Sequence, residues 1–133
     1  MASMRFFADA PLPLDALKKG LSGQDPSFKI DGGEVSRGGQ LLAEIELNQP
    51  GSDMFSDDIA GTINKLQYAG GNAPMVIQRV RSTQVVLSVH MLDPNAMELL
   101  GPFWSLLSNM SSGLWEVEGQ GFYDQGQLIV PLA

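Results

Sequence analysis

The sequence predicts a single α+β domain, built as one antiparallel or mixed sheet with helices packed mainly on one of its faces. Three observations support this prediction. The chain has 133 residues, which is the usual length of one domain. Strand-like and helix-like stretches follow one another along all of it. Glycine and proline occur singly or in pairs and form no linker, so residues 1–133 are expected to fold as one unit.

The first half of the chain predicts a strand, a helix and three further strands. The first strand is expected at residues 4–8, which form an apolar run. A helix is expected to begin at Pro13 and to end at Gly20 or Gly23, because proline favours the first helical turn and glycine follows the last one. Gly-Gly pairs, which favour tight hairpins, separate the next three strands, at residues 28–31, 34–37 and 40–48.

The strand at residues 40–48 has the clearest alternation of apolar and polar residues. Successive side chains of a strand point to opposite faces, so the pattern predicts one buried and one wetter face. The side chains expected on the buried face are Leu41, Ala43, Ile45 and Leu47, and those expected on the wetter face are Leu42, Glu44 and Glu46.

Two helices are predicted to follow. Ser52 is a good N-cap for the first helix, and acidic residues in its first turns suit the helix dipole. Its apolar side is expected to consist of Phe55, Ile59, Ile63 and Leu66. Gly70 and Gly71 end it, and Pro74 begins a second, shorter helix.

The last part of the chain predicts a strand at residues 84–92 and a helix after Asp93-Pro94. Pro102 is expected to kink or split that helix after Leu100. Its core-facing stripe is predicted to be Met97, Leu100, Trp104 and Leu107, with Phe103 as the exposed aromatic residue. Short strands are then expected at residues 115–118, 121–123 and 128–130.

The order of these elements predicts a topology. The first part matches a ferredoxin-like split β-α-β start, and the remainder extends it by a further β-α-β-β unit. Met4 is an alternative first residue, in which case residues 1–3 would be an addition to the natural chain or a disordered end.

Charge and composition restrict the partners. The net charge is −7, and the basic residues are scattered, which argues against nucleic acid and against a membrane surface. The sequence contains no cysteine and no apolar run long enough to span a bilayer, so a soluble protein of the reducing cytoplasm is expected. Charged residues make up only 17%, against roughly a quarter in an average domain. The surface is therefore expected either to be rich in Ser, Gln, Asn and Gly or to include a partner or self-association surface.

Strand alternation also predicts a polar surface on one side of the sheet. The residues expected to share that side are Arg5, Glu44, Glu46, His90, Glu116 and Glu118. Carboxylates beside a histidine can do acid–base chemistry, but a solvated face of an antiparallel sheet has the same composition. A dimer interface is a third interpretation.

Known site motifs are missing from the sequence. A single histidine excludes zinc sites that need several, and no nucleophile-elbow Gly-x-Ser-x-Gly occurs. Asp53, Asp57 and Asp58 lack the spacing of a calcium loop and are better explained as helix-start acids. We therefore expect no cofactor and no metal.

The segment at residues 115–126 is the most unusual stretch, because it places aromatic and acidic residues among glycines. Aromatic rings give a large contact area at low entropic cost. A hairpin whose Trp115 and Phe122 enter the core explains the same pattern. The candidate binding residues are Trp115, Glu116, Glu118, Phe122, Tyr123 and Asp124 of this segment, together with Glu44, Glu46 and His90.

Three functions remain open on the sequence alone. The first is a non-enzymatic protein-binding or regulatory module whose partner is a protein, such as a basic one, or a second copy of the chain. The second is a small hydrolase or lyase that uses Glu, His and Tyr side chains. The third is a structural subunit of a homodimer.

Overall fold

The computed structural model describes residues 3–132 and places eight strands and five helices in this part of the chain. The strands are β1 (Ser3–Ala8), β2 (Phe28–Asp31), β3 (Glu34–Arg37), β4 (Gln40–Asn48), β5 (Val85–Met91), β6 (Gly113–Val117), β7 (Gly121–Asp124) and β8 (Gln127–Pro131). The helices are α1 (Leu14–Gln24), α2 (Asp53–Leu66), α3 (Ala73–Arg81), α4 (Ala96–Leu99) and α5 (Gly101–Met110).

All eight strands form one sheet, in the order β2-β3-β4-β5-β1-β6-β7-β8, and every neighbouring pair is antiparallel. This confirms the predicted α+β class and the single antiparallel sheet. Ser3, expected as part of an added or disordered end, is the first residue of β1 and pairs with His90 of β5.

The helices cover both faces of the sheet, so the expectation that they pack mainly on one face is wrong. Helices α1, α4 and α5 pack on what we call the first face, which includes Phe6 and Leu87. Helices α2 and α3 pack on the second face, which includes Phe7 and Val86. The cause is that β1 and β5 are apolar on both sides at these positions, and both sides gain from being removed from water.

The connection between β1 and β2 also differs from the predicted split β-α-β start. Three strands, β3, β4 and β5, lie between β1 and β2, where the split unit has one. The reason is that β2, β3 and β4 form a meander that runs inward from one edge of the sheet. A single strand does separate the ends of the unit formed by β5, α4, α5 and β6, because β1 lies between β5 and β6.

Two Gly-Gly turns define the β2–β3 and β3–β4 hairpins, as predicted. Gly32 and Gly33 have φ angles of 56° and 83°, and Gly38 and Gly39 have φ angles of 56° and 84°. Such positive values at both central residues suit the two-residue hairpin turn whose twist matches the strands. Most other residues would be strained there.

The predicted alternation of buried and exposed residues in β4 is wrong at its start, because the strand pairing contains a bulge. The β3–β4 register shifts between Val35 and Ser36, which pair with Ala43 and Leu41 respectively. Leu42 is thus the extra residue and is fully buried, whereas Leu41 is 38% exposed. The sequence pattern predicted the reverse for these two leucines, because a bulge changes the phase of a strand without leaving a local signal here.

The predicted core-facing stripe of the last helix is wrong in part, because the helix is broken between α4 and α5. Leu100 is both the C-cap of α4 and the N-cap of α5, and Pro102 lies in the first turn of α5. Because α5 begins as a separate helix at Gly101, its buried residues are Phe103, Leu106 and Leu107, whereas Trp104 is partly exposed. Met97, expected in the core, is 48% exposed. A proline starts a helix readily but interrupts one that is already running.

Candidate functional site

A groove on the first face, which we call the aromatic groove, is the most apolar of the concavities at the candidate residues. Its volume is about 290 Å³. It lies between α4 and α5 on one side and β6 and β7 on the other. Its lining consists of Met4, Met97, Trp104, Ser108, Trp115, Val117, Gln120, Tyr123 and Gly126. None of these lining residues is charged.

The β6–β7 hairpin brings two candidate residues into this groove. Trp115 and Tyr123 are register partners and face the same side of the sheet. Glu116 pairs with Phe122 and both face the other side. The aromatic and acidic residues that stand together in the sequence are therefore divided between the two faces, because strand side chains alternate.

Helix α5 supplies the wall of the groove. The Trp104 ring meets the Trp115 ring at 89°, with centroids 5.3 Å apart. Trp115 also stacks on Phe6, with centroids 4.6 Å apart. Aromatic pairs in such geometries contribute about 0.5–1.5 kcal/mol beyond the area they bury. The two indoles are consequently held in fixed positions at the groove.

The polar atoms of these aromatic residues already have partners within the protein. Trp104 Nε1 donates a hydrogen bond to the Met97 carbonyl at 2.9 Å, which also ties α5 to α4. Tyr123 Oη donates to Gln120 Oε1 at 2.5 Å. The groove therefore offers an occupant mainly apolar and π-electron surface. Concave surfaces that are mostly apolar, with a few polar groups, are typical binding sites.

The second face carries a charged cluster directly behind the groove, formed by Arg5, Asp58, Lys65 and Glu116. Arg5 lies 2.8 Å from Glu116 and 3.4 Å from Asp58, and Lys65 also pairs with Glu116. The Glu116 side chain is 9% exposed, so it depends on its two cations to offset the loss of water. These contacts connect α2 to β1 and β6 and place each charge of the cluster within 3.4 Å of an opposite charge, although Glu116 Oε1 is buried without a hydrogen bond of normal geometry from the described residues.

A shallow polar cleft of about 340 Å³ lies beside this cluster on the second face. It contains Glu44, Glu46 and His90, three residues expected to share one side of the sheet. Glu44 is the register partner of His90. Ser3 Oγ lies 2.8 Å from His90 Nδ1. The strands thus bring together a hydroxyl, an imidazole and a carboxylate.

The remaining candidate residues lie apart from both concavities or at their rims. Phe122 is fully buried against Phe7, with ring centroids 5.9 Å apart, so its side chain is unavailable to a partner. Asp124 accepts a hydrogen bond from Arg79 at 2.8 Å, and the two side chains line a second cavity that adjoins the aromatic groove at Ser108, Trp115 and Gly126. Glu118 is exposed, next to the charged cluster.

The groove residues that sequence reasoning missed are contributed by α4 and α5. Trp104 and Met97 were expected in the core, and Ser108 drew no attention. The signal that could have revealed them is Pro102, since placing a new helix start there moves Trp104 out of the buried stripe.

Two further features of residues 3–132 bear on function. No helix there has the length and apolar character to cross a membrane. Within the same residues no group of three or more His, Asp or Glu side chains is arranged to hold a metal ion.

Comparisons with protein-family models, with curated proteins and with solved structures found no match.

Proposed function

We propose that this protein is a non-enzymatic protein-binding module, and that its aromatic groove receives a side chain anchor of a partner protein. The observation that carries this proposal is the groove itself: an uncharged concavity whose two indoles are fixed in place and partly exposed. Tryptophan and tyrosine are enriched at the residues that dominate protein interfaces, because rigid rings lose little entropy on binding.

The charge of the chain favours a basic partner. The net charge is −7, and Glu44, Glu46 and Glu118 are exposed on the second face. Complementary charge speeds diffusional encounter and disfavours acidic competitors. The proposal includes a cytoplasmic location, which the absence of cysteine from the sequence favours.

A peptide-display selection against the purified protein tests the proposal, with the library used both unmodified and after exhaustive methylation of its lysine side chains. We expect enriched peptides with a common anchor residue and a net positive charge. A variant that fills the groove, Ser108→Tyr, is expected to lose at least about tenfold in affinity for them, since an anchor pocket can contribute 2 kcal/mol or more. Ser108 is exposed and lines the groove, so the variant should still fold.

Ser105→Tyr is the matched control. Ser105 is exposed on the same helix but does not line the groove, so this variant should bind as the wild type does. Equal losses in both variants, or enriched peptides that bind Ser108→Tyr normally, would contradict the proposal. Light scattering on the same samples tests the homodimer alternative, in which a second copy would fill the groove.

A small hydrolase is the second candidate function, and the Ser3–His90 contact favours it. A hydroxyl 2.8 Å from an imidazole, with Glu44 on the next strand, has the residue types of a nucleophile, a base and an acid. A hydrolase that uses Tyr123 with these residues is disfavoured, because Tyr123 lies on the first face. Turnover of activated esters that is abolished in His90→Gln would support the hydrolase, and equal rates in both proteins would reject it.

A further inference from the structure

We propose that the anchor received by the aromatic groove is a trimethylated ammonium group on a lysine side chain of the partner. This inference rests on the proposed function and specifies the chemistry of the occupant. It follows from three properties of the groove: the arrangement of its rings, its hydrogen-bonding capacity and the charge around it.

The rings form a corner that suits a bulky cation. Trp115 and Tyr123 lie side by side on the sheet as register partners, and Trp104 stands against Trp115 at 89°. A cation near several aromatic rings is attracted by their quadrupoles, most strongly by that of tryptophan. Quaternary ammonium groups are commonly held by aromatic side chains in this manner. Met97 and Met4 add polarizable thioethers to the lining.

The hydrogen bonds already made in the groove select a methylated ammonium over a plain one. Unmodified lysine brings three N–H donors and arginine brings five, and each needs an acceptor once it leaves water. The lining has no carboxylate, and the Gln120 oxygen already accepts from Tyr123, so the Ser108 and Tyr123 hydroxyl oxygens are the side-chain acceptors left for these donors. A trimethylated ammonium has no N–H group, so it can enter without leaving donors unsatisfied.

The charge of the protein selects a cation over a neutral anchor of the same shape. The chain carries −7, and no basic side chain lines the groove. Glu98 follows Met97 in α4, is exposed, and has no ion pair within residues 3–132. Arg79 lines the adjoining cavity, but it is paired with Asp9 and Asp124, so a positive group at the groove would meet a favourable net field.

The test is an NMR titration that follows the two indole N–H signals. Trp104 and Trp115 are the two tryptophans of the sequence, so each signal reports directly on the groove. The probes are the blocked amino acid N-acetyl-trimethyllysine amide, its neutral isostere with carbon in place of the charged nitrogen, and the unmethylated lysine amide. We expect the trimethylated probe to bind roughly two- to thirty-fold more tightly than the neutral isostere, and more tightly than lysine.

Charge variants at the rim provide an independent readout. Met97 is 48% exposed, so replacing it should not disturb folding. Met97→Glu is expected to strengthen binding of the trimethylated probe by roughly two- to five-fold, and Met97→Lys to weaken it by a similar factor. Binding of the neutral isostere should not show these opposite effects of the two variants. Met75→Glu is the matched control, since Met75 is 45% exposed on α3 at the opposite face and should leave all three probes unchanged.

The outcomes separate this inference from the proposed function. Equal binding of the charged and neutral probes, or no shift of either indole signal with the trimethylated probe, overturns the inference. Display peptides that bind the groove through an apolar or unmethylated residue would then keep the proposed function. If the peptides do not depend on Ser108, the proposed function itself fails, whatever the small probes do.

Discussion

The two sides of strands β1 and β6 differ in how far their side chains are paired or covered by the rest of the protein. On the second face, Arg5 and Glu116 are joined to α2 through Asp58 and Lys65, and each charge has a partner. On the first face, Trp115 and the neighbouring strand residues form an apolar surface that α5 covers only in part. The difference indicates that the charged cluster holds the structure together, whereas the aromatic groove is available for a partner.

The extent of helix coverage produces this difference. Helices α2 and α3 pack over the β6–β8 end of the second face and bury Phe122 and Val130 completely or nearly so. On the first face Tyr123 is only partly buried, and its register partner Leu128 is 43% exposed. Apolar residues left exposed together, next to a concavity, often mark an interaction surface.

The largest expected effect compares two neighbouring residues of β7. Phe122→Ala should lower the free energy of unfolding by about 4 kcal/mol, because it removes a fully buried ring and leaves a cavity. Tyr123→Ala should cost about 1 kcal/mol, because this ring is partly exposed. Urea denaturation measures both values. Similar losses would mean that the groove is part of the core and is not a free surface.

The second effect concerns the glycine that begins β7. Gly121 has a φ of 134°, and a Cβ at this position would lie 2.1 Å from the Val130 carbonyl oxygen. Gly121→Ala should therefore cost about 3 kcal/mol. Gly126→Ala is a useful control, because its φ of 80° brings strain without any atom within 4 Å of the added Cβ. A smaller loss for Gly121→Ala than for Gly126→Ala would contradict the close strand packing.

The third effect concerns the charged cluster. Glu116→Gln should cost about 2 kcal/mol, less than a fully buried ion pair, because Arg5 is 28% and Lys65 is 47% exposed. Glu118→Gln, two residues along the chain and exposed, should change stability by less than about 0.5 kcal/mol. Thermal unfolding at low and high salt distinguishes the two variants. Equal stabilities would remove the structural role assigned to the cluster.

The smallest effect involves a partly exposed carboxyl group, that of Asp25, which lies outside both regions. The side-chain and backbone hydrogen bonds from Ser27, followed by the charge of Arg37, lower the pKa of Asp25 from its ordinary value of 3.8. A lowered folded-state pKa means that the stabilisation is present above 3.8 and is lost as the pH falls through the folded value. The difference in the free energy of unfolding between Asp25→Asn and the wild type should therefore become smaller as the pH falls into the acid range. A gap that widens below this range would contradict the assignment.

Much of this architecture could be predicted from local patterns. Period-two alternation correctly placed Arg5, His90 and Glu116 on a common side, and the Gly-Gly pairs identified two hairpins. The N-cap of α2 was also predicted correctly, since Ser52 Oγ accepts a hydrogen bond from the Phe55 amide at 3.1 Å. These features are determined by residues close together in the sequence, so local sequence patterns predict them.

The features that were predicted wrongly depend on which residues of a strand or helix face the core, or on contacts between distant elements. One bulge exchanged the environments of Leu41 and Leu42, and one helix break exchanged those of Phe103 and Trp104. The packing of helices on both faces had a signal, because an uninterrupted apolar run such as residues 85–87 is typical of a strand buried on both sides. That run is too short to distinguish a strand buried on both faces from a strand buried on one face.

The most direct test of the central claim is an NMR titration with a peptide obtained from the display selection. The chain has two tryptophans in the aromatic groove and a single histidine in the polar cleft of the opposite face, so each surface has its own reporter. We predict that the indole N–H signals of Trp104 and Trp115 shift with the peptide while the His90 ring signals stay in place. Shifts of His90 with unchanged indole signals would contradict the account and would place binding on the second face.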